Sequence, residues 1–329
     1  MLLLSILLAA ATQSEVVATG QAAPKVDTNL RQAALPGRED VRILPVDGLE
    51  CKYFLGYSEM QTFLNLLQGE SACSGEVPTK ANETFRQVNF LKMSGGKLPL
   101  VIHSPLSTIS KNAKFVIFLS GGPRTLTVSR PLVKLLTTHG FVVIVPVYLG
   151  SLETKHPAAD LPVAVDQIKA LYRWAGSRLR ATIGVSAGGY LAAASCLKSC
   201  STRFLLAPPL TTPKDSLSSN KVNWNENRAV TCLWQFNGSK KICESDETFF
   251  KSFWGKYYDT SLSTLLNGNC KKTRIFVSPA DKRVYDQKGL DNLRSIGCHV
   301  DTPMSIEHAQ IDANETLNKQ LVEAIEILD

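Results

Sequence analysis

Ser186, Asp281 and His308 are the residues of this chain whose types and order suit acyl transfer. A serine hydroxyl is a weak nucleophile at neutral pH, and it becomes effective only where a base takes its proton and an acid orients that base. Ser186 is the centre of Gly184-Val185-Ser186-Ala187-Gly188, a G-x-S-x-G spacing whose small flanking residues permit a tight, strained strand-to-helix turn. Of the five histidines, two follow the serine. His308, in Ser305-Ile306-Glu307-His308-Ala309, falls on a loop ahead of the last helix, from which it can reach the turn; His299 directly follows Cys298 and begins a strand, which makes it the weaker candidate. Asp281 comes straight after a strand, in Ser278-Pro279-Ala280-Asp281, and Asp286 is the alternative acid.

The same chemistry needs N–H donors where negative charge develops on a substrate carbonyl. The amide of Ala187, at the start of the helix after the turn, supplies one, since unpaired amides and the helix dipole both favour an anion there. Gly121 and Gly122, in Phe118-Leu119-Ser120-Gly121-Gly122-Pro123, are the candidates for the second, on a turn that follows an earlier strand. No cofactor is required by this scheme. No metal site is expected either, because no Cys-x-x-Cys pair or Cys/His cluster has ligand spacing.

The elements that must hold these residues follow from hydrophobic periodicity. Residues 179–183 read as a buried strand and 190–194 as a strong helix former, which is the context the serine turn requires. Earlier strands are expected at 50–55, 84–93, 98–103, 114–119 and 141–147, the last two rich enough in β-branched and aromatic residues to be buried on both faces. Helices are expected at 58–67, 128–138 and 164–176. Further strands at 202–207, 273–277 and 299–303 alternate with helices at 285–296 and 313–328. Strands alternating with helices imply an α/β domain built on a mostly parallel central sheet. We read it as one domain over 46–329, preceded by a polar, proline-broken arm over 12–45. Residues 208–269 form an insertion out of proportion, holding Trp224, Trp234, Phe236, Phe249, Phe250, Phe253, Trp254, Tyr257 and Tyr258. Two readings stay open for it: a lid over the site, or helices packed on the sheet edge.

With 329 residues and 44% hydrophobic content the chain can bury a substantial core. A net charge of +7 without a basic stripe gives no footprint for nucleic acid. Residues 1–11 read as a signal peptide: a short apolar run ending in small residues, too short to span a bilayer, so no stable membrane anchor is expected. Eight cysteines fit an oxidising compartment, and pairing neighbours in sequence gives Cys51 with Cys73, Cys196 with Cys200, Cys232 with Cys243 and Cys270 with Cys298. Glycosylation tripeptides begin at Asn82, Asn237 and Asn314. The expectation is a protein that is secreted or held in the lumen of the secretory or endolysosomal pathway.

Several of these segments resemble the α/β-hydrolase superfamily, over roughly residue 98 to the C-terminus. Ser-Gly-Gly-Pro at 120–123, Val-Pro-Val-Tyr at 145–148, the helix with Asp166 and Trp174, and Gly-Val-Ser-Ala-Gly-Gly-Tyr-Leu-Ala at 184–192 are similar to acetyl-esterase and hormone-sensitive-lipase-like carboxylesterases. That branch usually has His-Gly-Gly-Gly at the glycine turn, where this chain has Ser120 and then Pro123 after the glycines. Thr138-His139-Gly140-Phe141-Val142-Val143 with Pro146 instead looks like the chlorophyllase, cutinase and polyester-hydrolase branch. Either resemblance implies a serine esterase or lipase acting on a small-molecule or lipid ester through an acyl-enzyme. The alternatives are a non-catalytic binding protein that keeps the fold, or a serine peptidase of the same architecture.

Overall fold

In a computed structural model the chain is described over residues 49–53, 85–93, 96–105, 109–121, 131–146, 161–196, 201–218, 251, 254–303 and 305–328. Nine strands among these residues form one sheet. β1 (Leu49–Tyr53), β2 (Phe85–Met93) and β3 (Gly96–Ser104) make an antiparallel meander, and β3 runs antiparallel to β5 (Val142–Pro146). From there the sheet is parallel, in the order β5, β4 (Phe115–Leu119), β6 (Leu179–Val185), β7 (Thr202–Leu206), β8 (Thr273–Phe276) and β9 (His299–Asp301). The expected mostly parallel central sheet is thus present, each strand within a residue or two of its anticipated place.

Alternation along the strands sorts their side chains onto two faces, and both are covered. Phe115, Ile117 and Leu119 of β4 face a core shared with α2 (Leu161–Ala175), α3 (Ala187–Ala194), α5 (Leu262–Leu266) and α6 (Gln287–Ser295). Val116 and Phe118 face the opposite core, closed by α1 (Pro131–Thr138) and α7 (Glu315–Glu326). Every residue of β4 and β5 is buried, which is why these strands are apolar throughout rather than alternating.

β4 lies between β5 and β6, so the chain leaves β4 in one direction and returns to its other side. Sheets of this kind open a crevice beyond the carboxyl ends of the strands at such a reversal. Leu119 ends β4 and Val185 ends β6, so the glycine turn and the serine turn both leave the sheet at that point.

A disulfide joins Cys270 to Cys298, as neighbour pairing anticipates. It ties together the entries of the adjacent parallel strands β8 and β9, and closing a loop of 28 residues stabilises the fold by roughly 3–4 kcal/mol. Cys196 is disulfide-bonded as well. The anticipated partner Cys200, the pairs 51 with 73 and 232 with 243, Asn82 and Asn237, the signal peptide, the arm and the helix at 58–67 all involve residues outside those described.

Of the 208–269 insertion, α4 (Pro213–Ser218), the turn Gly255–Tyr257 and α5 are described. Trp254, Tyr257 and Tyr258 are buried, and Trp254 packs edge-on against Tyr190 of α3 with ring centroids 5.0 Å apart. The Tyr190 hydroxyl donates to the Thr260 carbonyl at 2.6 Å. Tyr257 also packs edge-on against Tyr190, so two of these aromatics lie against the helix that begins at the serine, and Tyr258 joins the same core. The other six, and with them the choice between a lid and edge packing, lie outside the described residues.

Candidate active site

Ser186 leaves β6 with φ 53° and ψ −124°, a left-handed backbone that costs a non-glycine residue on the order of 1–3 kcal/mol. The surrounding structure enforces it. The Ser186 N–H donates to the Leu206 carbonyl on β7 at 2.8 Å, and α3 begins at the next residue. The two flanking glycines are explained by contact rather than by their own dihedrals. A Cβ on Gly184 would run into the backbone of Gly188, and one on Gly188 would run into the Leu119 and Ser120 carbonyls at the end of β4. The G-x-S-x-G spacing therefore lets the turn close on itself and on the neighbouring strand.

This gives a prediction in which two effects oppose. Helix propensity alone makes Gly188→Ala stabilising by about 0.5–1 kcal/mol. Overpacking against backbone that cannot rotate away costs about 1–3 kcal/mol. The net expectation is a lower melting temperature, read by calorimetry; a rise would show that the elbow is loosely packed.

His308 joins the other two residues. Its Nδ1 lies 2.7 Å from Asp281 Oδ2 and its Nε2 3.0 Å from Ser186 Oγ. A carboxylate only accepts, so Asp281 fixes the proton on Nδ1 and leaves Nε2 free to accept from the serine hydroxyl. Asp281 is 1% exposed, and its other oxygen accepts the Arg283 N–H at 3.0 Å, so both carboxylate oxygens have a donor. His308 retains 17% side-chain exposure, enough to face an incoming molecule. The three side chains form one hydrogen-bonded line assembled from the loops after β6, β8 and β9.

The two weaker candidates have other work. Asp286 caps α6, accepting the Gly289 N–H at 2.7 Å. His299 is exposed on β9 and pairs with Asp301 at 3.0 Å. Asn314 caps α7 through its side-chain oxygen, accepting from the Leu317 N–H at 2.9 Å. One positioning residue escaped the sequence reading. Ser278 is fully buried, and its Oγ accepts both the Ala280 N–H at 3.2 Å and the Ile306 N–H at 3.1 Å. It thereby ties the loop of Asp281 to the loop of His308. Its only sequence signal is a serine beside a proline at a turn.

Of the expected N–H donors, Ala187 is the first residue of α3, where the amide has no acceptor within the helix. Gly121 packs on the serine turn so closely that a Cβ there would strike Val185 and Ser186. Gly122 lies outside the described residues. Among the described residues no group of three or more His, Cys, Asp or Glu is placed to hold a metal ion, and no helix is long and apolar enough to cross a membrane.

No protein-family model and no curated protein sequence matches this chain. Solved structures do. A 2,6-dihydroxy-pseudo-oxynicotine hydrolase aligns over 82% of this chain and 73% of its own, with a TM-score of 0.56 and 15% identity. A carboxylesterase of the ammonia-oxidizing thaumarchaeon Nitrososphaera gargenis aligns over 73% of this chain and 98% of its own, with a TM-score of 0.53 and 12% identity. A Pyrococcus furiosus esterase aligns over 78% and 94%, with a TM-score of 0.52 and 14% identity. At such identities the likeness concerns the fold, which is that of the α/β-hydrolases.

Proposed function

We propose that this chain is a serine hydrolase that cleaves a carboxylic ester through an acyl-enzyme. The observation that carries the reading is His308 bonded at once to Asp281 and to Ser186, the serine held on a strained turn at the sheet's crevice. In the proposed reaction Ser186 Oγ attacks the ester carbonyl while His308 Nε2 accepts its proton, and Asp281 stabilises the imidazolium. The amides of Ala187 and Gly121, with Gly122, meet the developing oxyanion. Collapse breaks the ester C–O bond, and His308 returns the proton to the departing alcohol. Water, deprotonated by His308, then attacks the acyl-serine and releases the acid. Fold neighbours named as esterases support the reaction class.

The test is labelling of the purified protein with a fluorophosphonate, together with hydrolysis of p-nitrophenyl esters of increasing chain length. Labelling with ester turnover is expected; folded protein that neither labels nor turns over any ester would overturn the reading. Ser278→Ala is expected to lower kcat about tenfold with KM nearly unchanged, because two backbone N–H groups lose their acceptor and the Asp281 and His308 loops lose their tie. Steady-state kinetics measures that split.

We further propose residence outside the cell or in the secretory lumen, with glycans at Asn82, Asn237 and Asn314. The Cys270–Cys298 disulfide favours an oxidising compartment. Expression through a eukaryotic secretory pathway should give protein beginning after Ala11 that loses mass on endoglycosidase treatment. Retention of the leader and an unchanged mass would refute this.

A further inference from the structure

At the end of the sheet opposite Ser186, three polar side chains stand in register across adjacent strands: Thr182 on β6, Arg203 on β7 and Thr273 on β8. All are shut off from solvent, Arg203 at 1% exposure. One nitrogen of the guanidinium is satisfied, Nη2 donating to the Asn269 carbonyl at 2.9 Å and to Thr273 Oγ1 at 2.6 Å. Nε and Nη1 are buried with no acceptor among the described residues. Tyr172, from α2, brings its enclosed hydroxyl to the same place; it interacts with the Thr182 hydroxyl, yet neither makes an aligned hydrogen bond.

The charge is what makes this row unusual. Taking a guanidinium out of water costs several kcal/mol unless an opposite charge accompanies it. Burial does pull the Arg203 pKa down, and among the described residues Tyr172 is the one titratable neighbour acting against that. A guanidinium nevertheless stays protonated in proteins. Tyr172 cannot neutralise it, because burial pushes the phenol up to about 12 and keeps it uncharged at physiological pH. A water molecule would satisfy a hydrogen bond but not the charge. An anion does both.

We propose that Arg203 anchors a buried site for a small monovalent anion of the size of chloride, with the hydroxyls of Tyr172 and Thr182 as neutral donors. The geometry of the guanidinium selects the class. A carboxylate or phosphate seeks the parallel donors of the fork, and Nη2, which belongs to both forks, is already committed. A spherical halide needs one charged donor and one or two hydroxyls.

The test is thermal unfolding at constant ionic strength as sodium gluconate is replaced by sodium chloride or sodium bromide. The melting temperature is expected to rise saturably, by about 3 °C or more, as for any ligand that binds only the folded state. Arg203→Met should abolish the dependence. Tyr172→Phe, which deletes only a hydroxyl and leaves the ring packing, should raise the half-saturating chloride concentration several-fold and serves if the arginine variant does not fold. A crystal grown in bromide should show an anomalous peak within hydrogen-bonding distance of Arg203. Equal melting temperatures in gluconate and chloride, an unchanged halide response in Tyr172→Phe, or no anomalous density beside Arg203 would each overturn the proposal. None of these readouts depends on esterase activity.

Discussion

Replacing Ser186 with alanine is expected to lower kcat for a p-nitrophenyl ester by about 10³- to 10⁶-fold and to abolish fluorophosphonate labelling. The substitution removes the only proposed nucleophile and little else. The Ser186 side chain makes no cap hydrogen bond to α3, and its Oγ bonds to His308 alone among the described residues. Alanine meets the same φ of 53° at a comparable cost, so the strained turn persists. The backbone bond to Leu206 is untouched. Melting temperature is therefore expected to stay within the change produced by about 1 kcal/mol. A stable variant with wild-type turnover would remove Ser186 from the mechanism.

Asp281→Asn is expected to cost about 10⁴-fold in kcat while leaving the fold intact. The asparagine side chain is isosteric, and its one carbonyl oxygen has a donor waiting in the Arg283 N–H. That orientation turns the amide N–H₂ toward His308 Nδ1. Facing a donor, Nδ1 must accept, so the imidazole proton moves to Nε2, where it blocks proton transfer from Ser186. The defect is one of tautomer rather than of position. Asp286→Asn gives the contrast: asparagine caps a helix about as well as aspartate, so both stability and kcat should be nearly unchanged. Measuring kcat and unfolding for the pair separates the proposed catalytic acid from the cap; a large kcat loss in Asp286→Asn with none in Asp281→Asn would exchange their roles.

How much of this was legible in the residues depends on the range over which each constraint acts. Gly184, Ser186 and Gly188 are neighbours in sequence, and the turn they require is a matter of local sterics. The strand before it and the helix after it follow from periodicity. Asp281 and Asp286 are five residues apart on one loop and equally acidic, and the place straight after a strand favours Asp281 but does not by itself separate the two. The structure does so because residue 286 coincides with the start of α6, whose orphan amides claim its carboxylate. Ser278 was missed for a similar reason: the Ile306 amide it holds is 28 residues away. No local pattern joins Arg203 to Tyr172, because the arginine lies on a strand of the sheet and the hydroxyl comes from a helix in a different layer.

The sequence by itself determined the fold class, the serine turn and the chain order of Ser186, Asp281 and His308, since these rest on short-range sterics and periodicity, and it offered the Cys270–Cys298 pairing only as the economical one of many. Tertiary structure alone decided that His308 and Ser186, 122 residues apart, meet at 3.0 Å, that Asp281 rather than Asp286 completes the line, and that a cation lies buried at the other end of the strands. Such distances belong to no segment of the chain. They arise when both faces of the sheet are covered and the loops at its carboxyl edge have nowhere else to go.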